Sequence, residues 1–504
     1  MNNLASLNYF TAEIFLSGFI ILLLVMSFLR MDRDNGIGFY YLAGVFGIAV
    51  TLILDLAGWG ESGDGAILFY GMARNDHLAH LFKFLCVLSS LILMVFSMVS
   101  RETNKRFDNP AEYVLLILSS TLGMILMASS SNLLMLYISL ELLSLTSYIL
   151  TGFADREEKT SEAAVKYLLY GGIASGVMLY GFSLLYGVTG TLDYTAMREV
   201  LWEHKVSGMV LSISTIMILA GMGFKIAAFP FHAWCPDVYE GAPTPFTAFL
   251  SVGSKAAGFV IIVRFFFQIF GAGDGGNFEI LGDILDWPMA IAVLSACTMT
   301  YGNMAALQQR NIKRLLAYSS IAQAGYVLMA VASRSQPGIS SAFFYLCVYF
   351  IMNFGAFLAV IIINNELNSE MIEDYEGLVW KSRKGAFLAS MLAICLFSLT
   401  GVPPFAGFIG KLYLLLSVLA KGSSLYWLAV IAVINTVISF YYYSRILRLM
   451  FLSRRLRGAD LSKLEKSDYL PYSVMAGLAF LTILLGIYWE PLDGLSRLAA
   501  TFIK

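Results

Sequence analysis

Apolar positions in this chain gather into long unbroken runs, separated by short polar connections. They do not show the alternation of half-buried strands or the narrow stripes of water-exposed helices. A helix that crosses a bilayer needs roughly 20 mostly apolar residues, and about fourteen runs meet that length. They lie near 8–29, 37–58, 78–100, 111–129, 131–153, 162–187, 209–230, 243–270, 287–306, 312–333, 339–364, 386–419, 425–450 and 470–489. The pattern predicts an all-α polytopic membrane protein. Its longest polar connections, near 59–77, 188–208, 271–286, 365–385 and 451–469, leave no room for a soluble domain. The first run, Tyr9 to Leu29, has no basic region before it and no small-residue cleavage site, so it is expected to be a retained span.

Polar residues inside these runs carry the next level of information. A charge at membrane depth costs about 2.5–3.5 kcal/mol on insertion scales and is a functional candidate by default. Span five, SNLLMLYISLELLSLTSYILTGF, holds Glu141 near its middle, with Tyr137, Ser144 and Tyr148 on the same helical face. Span seven ends GMGFKIAAFPFHAW. Gly221 and Gly223 are expected to loosen that helix and Pro230 to break it, with Lys225 just before the break and His232 and Asp237 after it. A histidine, with an ordinary pKa near 6.5, is suited to relaying protons there; the plain alternative is an interfacial residue. Span eight sets Thr244, Thr247, Ser251, Ser254, Lys255 and Gly258 along one stripe, which reads as the wall of a wetted path. Span ten lines one face with Ser319, Gln323 and Tyr326, and Lys313 and Arg314 at its entrance are accounted for as loop charge. Span twelve is interrupted by GVPPFAG and carries Lys411 beyond the interruption. Spans seven and twelve thus repeat one device, a proline-broken helix with a buried lysine, five spans apart. An odd offset points the copies in opposite directions, the signature of inverted repeats. His77, His80 and Lys83, at the entrance of span three, are expected to be interfacial side chains that snorkel.

Composition narrows the function. The chain of 504 residues is 58% hydrophobic and 13% charged, where soluble domains run near 25% charged. A net charge of −1 gives no reason to expect nucleic acid as a partner. Five scattered cysteines without a CxxC pair indicate neither a disulfide framework nor an iron–sulfur site. No Walker A loop, haem-ligand pair or dinucleotide fingerprint is present, so the chain either exchanges ions down a gradient or is driven by a partner. Loops after odd-numbered spans hold 18 Lys and Arg residues and the remaining inter-span loops only 5. The positive-inside rule therefore places the odd loops in the cytoplasm and both termini outside. Two unit charges 4–6 Å apart interact by roughly 3–4 kcal/mol at an effective dielectric of 20, about two to three pKa units. Opening or closing a Glu–Lys contact is thus enough to load or unload a proton.

The stretches SLELLSLTSYILTGF, SEAAVKYLLYGGIASGVMLYGFSLLYG, GFKIAAFPFHAWCPDVYEGAPTPFTAFLSVGSK, NIKRLLAYSSIAQAGY and GVPPFAGFIGKLYLL resemble the antiporter-like subunits of respiratory complex I, from about span four to span thirteen. The resemblance implies fourteen helices with two broken ones and two inverted five-helix repeats, spans 4–8 and 9–13. It divides the chain into an N-terminal three-helix segment (1–110), a first repeat (111–270), a second repeat (287–450) and a C-terminal loop and helix (451–504). It implies that Glu141, Lys225, Lys255 and Lys411, with His232, carry proton translocation. Lysine at 411, where a sister branch has glutamate, and the SEAAVKY motif favour the N branch. That no long lateral helix follows span fourteen argues against the L branch. The implied activity is proton translocation driven by NADH–quinone oxidoreduction, with no cofactor in this chain and FMN, iron–sulfur clusters and quinone bound by partner subunits. The implied partners are other complex I subunits, among them a neighbouring antiporter-like subunit and the small membrane subunits, in a bacterial inner membrane. A subunit of a multisubunit sodium–proton antiporter is the alternative.

Overall fold

The computed structural model describes residues 3–29, 36–61, 65–106, 109–154, 158–203, 207–271, 286–453 and 469–503. Fourteen of its helices are long and apolar enough to cross a membrane. We number them α1 (Thr11–Phe28), α2 (Gly36–Gly58), α3 (His77–Val99), α4 (Pro110–Ser129), α5 (Leu133–Thr151), α6 (Glu158–Thr189), α7 (Gly208–Ile226), α8 (Thr244–Phe270), α9 (Trp287–Ala306), α10 (Ile312–Ala332), α11 (Gln336–Leu367), α12 (Arg383–Thr400), α13 (Tyr426–Leu452) and α14 (Leu470–Ile487). Each coincides with one of the runs read from the sequence within a few residues, except that the run 386–419 is divided between α12 and a second segment, Ala406–Leu419. Several basic loop residues behind the orientation argument (Arg30, Arg33, Arg156, Lys205, Arg454, Arg455, Arg457, Lys463 and Lys466) lie outside the described residues.

Burial sorts the helices. Nearly every residue of α8, α10 and α11 is covered by other helices, whereas α1, α6, α13 and α14 turn leucine, isoleucine and aromatic side chains outward. In lipid that exposure carries no hydrophobic cost, and tight helix packing falls to small residues. Gly123 of α4 meets the backbone of α5 at Ser139 and Leu143, and Gly302 of α9 meets that of α10 at Tyr318 and Ala322, at one constant sequence offset. The same offset relates Asn132, which caps α5 and bridges to Asp193, to Asn311, which caps α10 and bridges to Met371. Both caps accept hydrogen bonds from first-turn amides that the helix itself leaves unpaired.

Two helices are interrupted. The α7 helix ends at Ile226 with Ala227 left-handed (φ 58°), ahead of Pro230, and a short helix, Trp234–Gly241, leads into α8. The α12 helix ends at Thr400 with Gly401 left-handed (φ 92°), and a second segment, Ala406–Leu419, follows the prolines. Gly221 and Gly223 do not loosen α7, as the sequence suggested. Helix runs unbroken through both, and they instead admit Met178 and Phe231 at close range. A third irregularity had no signal in the sequence: α8 widens into a π-helical turn at Leu250–Ser254, immediately before Lys255.

The connection 59–77 contains a small antiparallel hairpin, β1 (Ala66–Leu68) against β2 (Ala73–Asn75), with Ala66 opposite Asn75 and Leu68 opposite Ala73. It delivers Asp76 to the start of α3, where the carboxylate caps Ala79 N–H and receives both guanidinium nitrogens of the buried Arg264 at 2.8 Å. Burial alone raises a carboxyl pKa, but the Arg264 charge and these hydrogen bonds outweigh it and hold Asp76 below its usual value. The expectation for His80 and Lys83 is corrected here. Neither snorkels; both are 3% exposed, with Lys83 Nζ 2.5 Å from Glu13 Oε1 and His80 Nδ1 2.8 Å from Asp55 Oδ1. The α1 and α2 helices each bring a carboxylate inward, so the two cations need no route to the surface.

Candidate functional site

The first group lies between α5 and α7. Glu141 projects from the middle of α5, and one of its carboxylate oxygens, Oε1, is buried without a hydrogen-bond partner. Lys225, 2% exposed at the end of α7, does not close an ion pair with it. Its Nζ donates instead to Ser144 Oγ at 3.2 Å, one turn along α5 from Glu141. The break after Ile226 leaves the lysine on the last helical turn.

Lys225 also runs alongside α8. Gly258, three residues past Lys255, leaves the space that its stem occupies: a Cβ there would stand 2.7 Å from Ile226 and 3.4 Å from Lys225 Cγ. Lys255, again 2% exposed, crosses to α10 and donates to both the carbonyl and the hydroxyl oxygen of Ser320, each at 2.8 Å. The rest of the predicted α8 stripe is buried, and Ser251 accepts a 2.6 Å hydrogen bond from Asn353 of α11.

From Ser320 the polar face of α10 continues inside the protein. Gln323 accepts from the Tyr345 hydroxyl and donates to Leu399 O at 3.1 Å. Tyr326 places its ring 4.6 Å from Lys411 Nζ. Lys411, 6% exposed, donates to Thr400 O at 2.9 Å, so its charge sits on the carbonyl end of the first α12 segment, where a helix dipole favours a cation. Gly401 is required at that crossing by its positive φ, and by the Lys411 stem 2.9 Å from where a Cβ would project. Ser144, Lys225, Lys255, Ser320, Gln323, Tyr326 and Lys411 therefore form one buried row through α5, α7, α8, α10 and the second α12 segment, with the half-buried Glu141 at its α5 end.

His232 stands apart from the row. It stacks on Phe229 and lies 4.2 Å (ring centroids) from Tyr301 of α9, with Nδ1 unpartnered; burial pushes its pKa down. Asp237 and Glu240 of the short helix Trp234–Gly241 join an ion-pair network at one end of the bundle. Lys166 and Arg314 hold Asp237 at 2.6 and 2.7 Å, and Lys159 and Arg314 hold Glu240 at 3.2 and 2.9 Å. Burial works to raise both carboxyl pKa values, and the cations bring both below the usual range. Lys313 is more than loop charge: buried at 1% exposure, it pairs with Glu370 at 2.9 Å and donates to the carbonyls of Glu240 and Ala242. Lys159, Lys166, Asp237, Glu240 and Arg314 line a cavity of about 130 Å³.

Such a row can do little chemistry beyond moving protons. Its members are an acid, three amines and hydroxyl or amide groups, and each amine has an oxygen within hydrogen-bond distance. Among the described residues no group of three His, Cys, Asp or Glu could hold a metal ion. Sequence reading found the charged members but missed their partners. Ser144 was named only as part of a face, and Ser320, Tyr345 and Thr400 not at all, because a serine or a backbone carbonyl becomes a lysine partner only through contacts 65 or 81 residues apart in the chain or through the fold of a broken helix.

Residues 130–439 match the family described as NADH:quinone oxidoreductase/Mrp antiporter, transmembrane region. NADH-quinone oxidoreductase subunit N 2 of Chloroherpeton thalassium is 42% identical over 496 residues, covering 97% of this chain and 93% of that protein. A chain in the structure of respiratory complex I from Thermus thermophilus with bound aureothin superposes with a TM-score of 0.77 at 29% identity, covering 96% of this chain and 98% of that one. A chain of the Mrp complex from Dietzia superposes with a TM-score of 0.80, covering 98% of this chain and 97% of that one; at 19% identity it shares the fold alone.

Proposed function

This chain belongs to the NADH:quinone oxidoreductase/Mrp antiporter transmembrane family, and from that premise we propose how its buried row works. It is a membrane-arm subunit of an NADH–quinone oxidoreductase that translocates protons, coupled to electron transfer in other subunits, and it carries no redox centre of its own. The observation that carries the mechanism is the row of three buried lysines, each donating to a neutral oxygen: Ser144, Ser320 and Thr400. An ammonium on a neutral acceptor is not locked by a counter-charge, so a shift toward or away from Glu141 decides whether it keeps its proton.

Helices α4–α8 and α9–α13 form two inverted repeats, a reading supported by their matching glycine crossings, asparagine caps and broken helices. The first repeat takes protons from the cytoplasm past the Asp237–Arg314 network. The second releases them outward from Lys411, toward a cavity of about 540 Å³ lined by Ser340, Ser341, Tyr413, Ser417 and Asp493. His232 serves the entry side and not the row itself. FMN, iron–sulfur clusters and quinone reside in partner subunits, and a second antiporter-like subunit and the small membrane subunits are neighbours in the membrane arm. The setting is a bacterial inner membrane with both termini outside. The sodium–proton antiporter reading is the weaker one, because the near-full-length relative at 42% identity is an oxidoreductase subunit.

The test is a double-mutant cycle on Lys225 and Lys255 in assembled complex, reading proton pumping and NADH–quinone reductase activity. Each alanine variant should lose most of both, and the double variant little more than the worse single, because the two lysines pass one proton between them. Wild-type pumping by both single variants at matched complex content would overturn the proposal.

A further inference from the structure

Four more ionisable side chains lie buried well away from the row. Glu13 in the first turn of α1, Asp55 near the end of α2, and His80 and Lys83 in the first two turns of α3 are 1%, 2%, 3% and 3% exposed. All four stand at one end of the three-helix segment, the end that the hairpin and the Asp76–Arg264 pair close off. They fall outside residues 130–439, so the family match does not account for them.

Two ion pairs that merely stapled helices would be complete once made, and these are not. Glu13 Oε2, Asp55 Oδ2 and His80 Nε2 are buried and have no hydrogen-bond partner. Buried polar atoms are nearly always satisfied, so three orphans in one cluster mark a place that exchanges hydrogen bonds. Asp55 holds His80 by Nδ1 at 2.8 Å, which leaves the opposite ring nitrogen, Nε2, without a partner. Gly58 leaves room beside that buried ring edge: a Cβ there would stand 3.3 Å from His80 Cε1. The Trp59 and His77 rings continue from His80 toward the end of the bundle, their centroids 5.8 and 6.4 Å apart from their neighbours in that order.

The cluster also points the other way, toward the row. Along α3, His80, Lys83, Cys86, Ser89 and Ser90 are all buried, and Lys83, Cys86 and Ser90 share one face. Thr121 of α4 donates to Ser90 at 2.7 Å, and Ser89 and Ser90 both donate to Cys86 O. Ser89 abuts Gly253, where a Cβ would stand 2.2 Å from its hydroxyl. Gly253 belongs to the π-helical turn that ends immediately before Lys255. Lys83 lies seven residues from Ser90, two turns along the same face and about 10.5 Å along the helix.

We propose that Glu13, Lys83, Asp55 and His80 form a second proton-handling centre, joined to the Lys255 region by the polar face of α3 and opening to the outer side. This rests on the role and orientation proposed above. In the resting pair Lys83 is the ammonium and Glu13 the carboxylate. Transfer of the Nζ proton to Glu13 leaves a neutral amine and a carboxylic acid. The amine takes a proton arriving from the Ser89 side, and the acid gives one up to the His80 side. One proton enters, one leaves, and the pair regains its charges.

Two variants keep the packing and remove the transfer. Lys83→Arg retains the cation beside Glu13 but cannot give up a proton. Glu13→Gln with Lys83→Met replaces the pair by neutral groups of similar size, an exchange that folding usually tolerates. In complex reconstituted into vesicles, at matched content, both should lose proton pumping by more than about threefold, as expected when a positioned proton carrier is removed. Wild-type pumping in either variant would overturn the proposal. Lys255→Ala, measured alongside, separates the two readings: if it alone is impaired, the row stands and the second centre falls, and if it pumps normally, the row itself fails. Should neither α3 variant assemble, His80→Gln decides by the same criterion.

Discussion

At the scale of single residues, Glu141 is the sharpest case. Its carboxylate has one buried oxygen without a partner, and Lys225 rests one turn away on Ser144. Glu141→Gln keeps the shape and removes the charge, so assembly should be normal while pumping and coupled quinone reduction fall at least about tenfold, the scale expected when a positioned proton carrier is lost. Pumping at the wild-type rate in assembled complex would make Glu141 structural only. The residue itself was legible in the sequence, as were the three lysines, because a charge inside an apolar run announces itself by its cost. Glu13 and Asp55 were equally anomalous in their runs and went unread. They lie near the ends of spans one and two, where a charge looks interfacial, and only the bundle shows that those ends are covered.

Elements were legible in proportion to how strongly a single residue type dictates them. Apolar runs gave the spans, and paired prolines gave the interruption of α12. Span seven was expected to break at Pro230, and the helix stops at Ile226, the residue whose carbonyl the proline has no N–H to serve, with a left-handed alanine next. The π-helical turn of α8 has no coding residue at all. Close crossings are similarly hidden until partners are known. Gly407, at the head of the second α12 segment, would place a Cβ 1.8 Å from Ser398 O. Gly407→Ala should therefore force the two segments apart and destabilise by about 1–3 kcal/mol or more, as overpacking does. The readout is a lower midpoint of thermal denaturation in detergent, together with reduced pumping as Lys411 loses its seat on Thr400. An unchanged midpoint would show that the segments separate freely.

Over the whole molecule, the described parts are tied together by a few buried polar contacts. Arg264 fastens the far end of α8 to Asp76 at the head of α3 and to Ala128 O at the end of α4. Arg264→Ala would strand a buried carboxylate, a loss of about 3–5 kcal/mol for such pairs, and Arg264→Met with Asp76→Asn should recover much of it. Thermal stability of the purified complex measures both; equal loss in the single and double variants would show that the charge pairing is immaterial. The α10 helix unites the two halves in another way. Ser320 holds Lys255 on one side of it, and Tyr326 carries Lys411 on another, six residues on. Six residues turn an α-helix through about 600°, which leaves the two contacts roughly 120° apart around its axis. The helix is in effect a camshaft with two lobes. A rotation of it would move both lobes at once, so the seats of Lys255 and Lys411 would shift together.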